Sequence, residues 1–119
     1  MTNNRTRRTI AVVGGDLMAR SRIEAAAAAN SLEVERLSPN DLESLETRPD
    51  VALVVLDLDS GGLSLVDTWA SLEGESGPRV VGYFSHVDVA LGDHARSKGV
   101  EALPRGRFWR TLEEMLAAL

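Results

Sequence analysis

The stretch that decides the fold is Val51-Ala52-Leu53-Val54-Val55-Leu56-Asp57, an unbroken apolar run closed by a carboxylate. A strand buried on one face alternates apolar and polar residues. A strand buried on both faces reads as a continuous run. Strands of that kind belong to parallel sheets covered by helices on both sides. In such open sheets, ligands collect just beyond the carboxyl ends of the strands. The run therefore predicts a central parallel strand that delivers Asp57 to the working edge of a sheet.

On either side the chain alternates strand-like and helix-like segments. Thr9–Val13 predicts a first strand, and residues 17–30 a first helix, with Leu17, Arg20 and Ile23 at helical spacing and a helix-favouring run of five alanines. Residues 32–37 alternate apolar and charged side chains and suit an edge strand. Ser38-Pro39-Asn40-Asp41 reads as a helix start, with Ser38 as N-cap, Pro39 at the first helical position and Asp41 three residues after the cap. A short helix to about Thr47 follows, then a turn over Arg48-Pro49-Asp50. Beyond Asp57, Leu58-Asp59-Ser60-Gly61-Gly62 reads as a loop, and residues 63–72 as a third helix with Leu65, Val66 and Trp69 on one side. Arg79–Phe84 predicts the fourth strand, 87–98 the fourth helix with Gly99 closing it, and 100–103 the fifth strand. Residues 107–119 predict a terminal helix with Phe108, Leu112, Met115, Leu116 and Leu119 as its apolar stripe.

Five such units predict a doubly wound parallel sheet with helices on both faces. The flavodoxin-like order 2-1-3-4-5 is the common solution. It sets Gly14-Gly15 beside Asp57 at the switch point between strands one and three. At 119 residues the chain makes a single domain over residues 9–119, behind a flexible lead over residues 1–8. The net charge of -5 argues against nucleic-acid binding. The absence of cysteine excludes disulfides and thiolate chemistry. No apolar run is long enough to span a membrane, and no signal-peptide pattern follows the N-terminal arginines. A cytoplasmic protein is expected.

The chain also resembles a family, the receiver domains of two-component response regulators. Val12-Val13-Gly14-Gly15-Asp16-Leu17-Met18-Ala19-Arg20 is similar to that family's first strand and loop. Pro49 to Leu58 is similar to the segment with the phospho-accepting aspartate. Arg79-Val80-Val81-Gly82-Tyr83-Phe84-Ser85-His86 is similar to the fourth strand and its terminal hydroxyl residue, and Ala95-Arg96-Ser97-Lys98-Gly99-Val100 to the end of the fourth helix. The resemblance implies Asp57 as phosphoacceptor, Ser85 as the hydroxyl facing a phosphoryl group, and Asp59 where the family offers a carbonyl to a metal. The family's acidic pair falls on Gly14 and Gly15. The family's lysine is matched by Arg105 only if one residue is deleted. Mg2+ requires oxygen ligands, and losing two carboxylates weakens its site. Phosphoryl transfer rests on positioning and on charge supplied by metal and cation, so the usual chemistry is not expected here.

These readings have plainer counterparts. Asp16 is a shifted metal ligand or, first, the N-cap of helix one. Ser85 followed by Asp88 resembles a capping box at the start of the fourth helix. His86 and His94 have no third ligand and read as surface histidines. The functional expectation is a receiver-like, non-enzymatic signalling domain that acts by protein–protein contact. The face of the fourth helix, fifth strand and fifth helix would carry Tyr83, His86, Phe108 and Trp109. A histidine kinase, a downstream effector or a second copy would be the partner. Two alternatives stand beside it. One is a phospho-accepting domain whose metal is held by Asp16, Asp57 and Asp59. The other is a small nucleotide- or metabolite-binding module that uses the bare Gly14-Gly15 space. No cofactor is expected beyond a weakened Mg2+.

Overall fold

The computed structural model describes residues 8–71, 78–85 and 87–119. The elements follow the chain as β1 (Thr9–Val13), α1 (Leu17–Ala29), β2 (Glu33–Leu37), a 3-10 segment (Pro39–Thr47), β3 (Val51–Asp57), α2 (Leu58–Ser71), β4 (Arg79–Phe84), α3 (Val89–Ser97), β5 (Glu101–Pro104) and α4 (Arg105–Ala117). The five strands are parallel and lie in the order β2-β1-β3-β4-β5. This is the expected α/β flavodoxin-like architecture.

Strand alternation sorts the core onto the two faces of the sheet. Ile10, Val12, Leu53, Val55, Val81 and Tyr83 meet α1 and α4 through Ile23, Ala26, Ala27, Phe108, Leu112 and Leu116. The intervening Ala11, Val13, Val54, Leu56, Val80 and Phe84 meet α2, α3 and the 3-10 segment through Leu65, Val66, Leu91, Ala95, Leu42 and Leu45. Every residue of β3 is buried, as an apolar run sandwiched between helix layers must be. Within the five-alanine run, α1 turns Ala26 and Ala27 toward the sheet, as it does Ala19 one face-repeat earlier, and leaves Ala25 and Ala28 exposed.

The structure departs from the sequence expectations at several helix starts. The crossover from β2 to β3 is a 3-10 segment rather than an α-helix. Its start is nevertheless the expected one, with the Ser38 amide donating to the Asp41 carboxylate at 2.9 Å. α2 begins at Leu58, directly on β3, where a loop was expected. Gly62, at φ 57 and ψ -145, breaks the helix internally, a backbone state open to glycine almost alone. α3 begins at Val89, and its N-cap is Asp88, whose carboxylate accepts from the Leu91 amide at 3.2 Å. Ser85 therefore does not cap that helix. α4 begins at Arg105, two residues before the expected start. At the N-terminal end, the Arg8 carbonyl accepts from Glu33 at 2.8 Å and its guanidinium donates to the Ser31 carbonyl, so Arg8 is tied to the β2 edge. Residues 1–7 of the expected lead lie outside the described residues, as do residues 72–77. No helix among the described residues is long and apolar enough to cross a membrane.

Candidate functional site

Asp57 ends β3 and pairs in register with Tyr83 of β4, so the two side chains stand side by side on the α1/α4 face of the sheet. Asp57 is 5 % exposed and is the one buried charged residue among the described residues. Its Oδ1 accepts from the Asp59 amide at 3.0 Å. Asp59 is the second residue of α2, so this bond is an N-cap bond, and Asp57 holds the start of that helix. The Ser60 hydroxyl closes the same turn on the Asp57 carbonyl at 3.2 Å. A side chain that sequence reading treats as a reagent is thus also part of the helix start. That start was legible in Asp57 followed by an acidic residue at Asp59, but the Gly61-Gly62 pair masked it.

Burial raises the Asp57 carboxyl above its usual range, because the charged form loses hydration there. The Asp59 amide and the Arg105 charge pull the other way. Tyr83 is fully buried, and burial together with the neighbouring Asp57 charge pushes its phenol upward. Its hydroxyl has no hydrogen-bond partner within bonding distance. It lies 3.2 Å from the position a Gly15 side chain would take, and Asp57 Oδ2 lies 3.8 Å from the same point.

Both glycines of the β1–α1 turn adopt positive φ, 80° at Gly14 and 90° at Gly15. A Cβ on Gly14 would stand 2.4 Å from the Ser60 hydroxyl and 3.3 Å from Asp57 Cβ. Gly14 and Gly15, on which the acidic pair of the resembled family falls, are thus held where any L side chain is strained, and one at Gly14 would also have to displace the Ser60 hydroxyl. Asp16 follows as the N-cap of α1, its carboxylate accepting from the Ala19 amide at 2.8 Å, which is the first of its two expected roles.

The three carboxylates named as metal candidates do not converge. Asp16 is engaged at α1 and Asp57 at α2. Asp59 takes the Ser85 amide on Oδ1 at 2.9 Å and the Arg105 guanidinium on Oδ2 at 3.3 Å. Among the described residues, no group of three histidine, cysteine or acidic residues is placed to hold a metal ion. The donor set present does not fit Mg2+.

Arg105 and Ser85 both belong to the site, joined to it through Asp59, and the Arg105 guanidinium also lies 5.2 Å from the Tyr83 ring centre. Nothing in the sequence announces the pairing of Asp59 with Arg105, which bridges 46 residues. Two of the expected partner-face residues need correction. Tyr83 and Phe108 are fully buried and stack at 4.8 Å, so neither is available to a partner. Phe108 belongs to the buried stripe that the α4 periodicity already marked. Trp109 is partly buried, at 4.9 Å from Phe108 and under the Arg22 guanidinium at 4.3 Å. His86 lies outside the described residues.

Comparison with known proteins supports the fold. No family model matches the chain, and no curated protein matches its sequence. Among solved structures it is similar to a "Putative pilus assembly-related protein" from Burkholderia pseudomallei, with TM-score 0.65 and 15 % identity over 96 % of this chain and 92 % of the other. It is also similar to rubredoxin oxygen:oxidoreductase from Desulfovibrio gigas, with TM-score 0.51 and 11 % identity over 97 % of this chain but only 34 % of that one. At these identities the likeness is one of architecture.

Proposed function

We propose that the chain is a receiver-like signalling domain that works through protein contacts rather than through metal-dependent phosphoryl transfer at Asp57. One observation carries this reading. The β1–α1 turn that would present the acidic pair holds two positive-φ glycines packed against Ser60 and Asp57. Phosphoryl transfer to a carboxylate needs its charge compensated by metal and cation. Here Arg105 is the cation at the site, and it is already paired with Asp59. In this reading the domain is non-enzymatic and cytoplasmic, and its partner is a histidine kinase or a downstream effector.

The β5–α4 edge is the proposed contact face. A groove of about 340 Å³ runs there between Arg79, Glu101, Leu103, Arg107, Glu114 and Met115. Its alternating charges also suit a second copy of the chain. The test is intact-mass measurement after treatment with acetyl phosphate and Mg2+, for the wild type and for Asp57→Asn. The reading expects no phosphoryl adduct on either. An adduct on the wild type that Asp57→Asn abolishes would establish the phospho-accepting alternative instead.

A further inference from the structure

The outer face of α1 lacks the polarity that a solvated helix carries. Opposite Ile23, which is buried in the core, the helix presents Leu17, Met18, Ser21, Ala25, Ala28 and Ala29, all exposed. Leu17 and Met18, at its head, are 70 % and 77 % exposed. α4 packs beside α1 on the same face of the sheet and shows the ordinary pattern, with Arg107, Arg110, Glu113 and Glu114 exposed. A surface helix is apolar toward the core and polar toward water; one that is apolar on both sides is covered on both. The small side chains along the middle of this face let a second helix approach closely.

The charges at its border decide what covers it. On the helical wheel, Arg22 and Glu24 fall about 80° to either side of the centre of the face. Among the described residues, neither has an ion-pair partner. Arg22 is steadied on the α4 flank by the Trp109 ring at 4.3 Å. Arg20, the other charge of α1, turns inward with its Nε buried. The face is therefore self-complementary in one arrangement. When two copies meet about a two-fold axis running along α1, the Arg22 flank of each lies against the Glu24 flank of the other. An antiparallel pair sets like against like. A purely basic or purely acidic partner helix would satisfy one of the two charges and oppose the other. We propose that this face seats a second copy of the chain, joined α1 to α1 in parallel. The inference goes beyond the contact-based reading above and does not rest on it, since the face shares no residue with the β5–α4 groove.

The chain has no cysteine, so introduced thiols report on the interface alone. Ser21 and Ala28 stand about 10 Å apart along the helix axis. A parallel pair brings each within disulfide reach of its own copy, whereas an antiparallel pair brings at most one of them there. Ser21→Cys and Ala28→Cys, as separate full-length variants, should therefore both form disulfide-linked dimers under mild oxidation. Sedimentation equilibrium of the unmodified chain should show monomer and dimer in exchange between about 10 µM and 1 mM. Glu24→Arg should weaken association about fivefold, and adding Arg22→Glu should recover most of the loss. Ala25→Arg, at the centre of the face, should weaken it at least about tenfold. All of these positions are exposed, and thermal melts confirm that each variant folds. A chain that stays monomeric at the highest concentration, cross-linking at only one of the two positions, or a charge reversal that the second substitution does not rescue would overturn the proposal. So would binding to phosphatidylglycerol vesicles through α1 by a chain that stays monomeric. Failure of the dimer leaves the contact-based reading standing, and phosphorylation of Asp57 defeats that reading without touching this one.

Discussion

Gly14→Ala tests the claim that the β1–α1 turn strains a side chain. Two contributions add. An L-residue held at φ 80 pays about 1–2 kcal/mol relative to glycine. The added Cβ also stands 2.4 Å from the Ser60 hydroxyl, which must leave its contacts with the Asp57 carbonyl at 3.2 Å and the Gly15 amide at 3.4 Å. Those are long bonds, together worth about 1 kcal/mol net. The expected loss is therefore about 2–3 kcal/mol, a fall in melting temperature on the order of 10 °C for a domain of this size. Chemical denaturation followed by circular dichroism measures it. Ser60→Ala separates the two parts, since it removes the hydroxyl that the new methyl meets. The Gly14→Ala/Ser60→Ala pair should be less destabilised than the sum of the single variants by about 1 kcal/mol. A Gly14→Ala protein within about 0.5 kcal/mol of the wild type would refute the reasoning, because a mobile turn could then accept the acidic pair.

Other outcomes follow from the same geometry. Asp57→Asn keeps an acceptor for the Asp59 amide and removes a buried charge. Because folding raises the Asp57 carboxyl, the wild type's advantage from protonation is present below the unfolded value and lost as pH rises through the folded one. The Asn variant should therefore gain stability relative to wild type as pH rises, which denaturation at a series of pH values will show. The Arg48 guanidinium holds Asp50 down to about 2 and lowers Glu35 as well. Both carboxylates are more than a third exposed, so Arg48→Ala should cost only about 1 kcal/mol at pH 7. That cost is present above the unfolded carboxylate value and should fade as pH drops toward about 2, read by the same pH series. Asp59→Ala leaves the Ser85 amide without its acceptor and should cost about 1–2 kcal/mol, while Asp59→Asn should stay within about 0.5 kcal/mol, both by thermal unfolding. Phe108→Ala empties the space between Tyr83 and Trp109 and should cost about 3–5 kcal/mol in chemical denaturation.

The strands were legible because burial on both faces leaves a one-dimensional mark, the continuous apolar runs of β1, β3 and β4. Their order followed from the alternation with helices. Helix starts were less legible, because a cap is a matter of which of several nearby polar residues turns inward. Ser85 and Asp88 compete for one helix, and Asp88 wins. Leu58-Asp59-Ser60-Gly61-Gly62 has a loop's composition, yet Asp57 organises it as a helical turn and only Gly62 departs from helical geometry. At the site, the sequence marks Asp57 and the two glycines, Gly14 and Gly15, where the resembled family has acids. It does not mark the positive φ that strains a side chain there, nor the reach of Arg105 to Asp59. Both arise from tertiary packing between segments far apart in the chain.

The cap bond from Asp57 to the Asp59 amide bears on how this position tolerates mutation. Asparagine, serine and threonine also cap helices, at similar strength. If capping were all the position had to do, it could drift among these four residue types without a change in fold, and asparagine would shed the buried charge as well. An aspartate that closes a third strand is then ambiguous when read from sequence, since helix architecture alone would preserve it. In a scan for phospho-accepting domains, the informative positions are the two that directly follow the first strand, where side chains are either accommodated or strained.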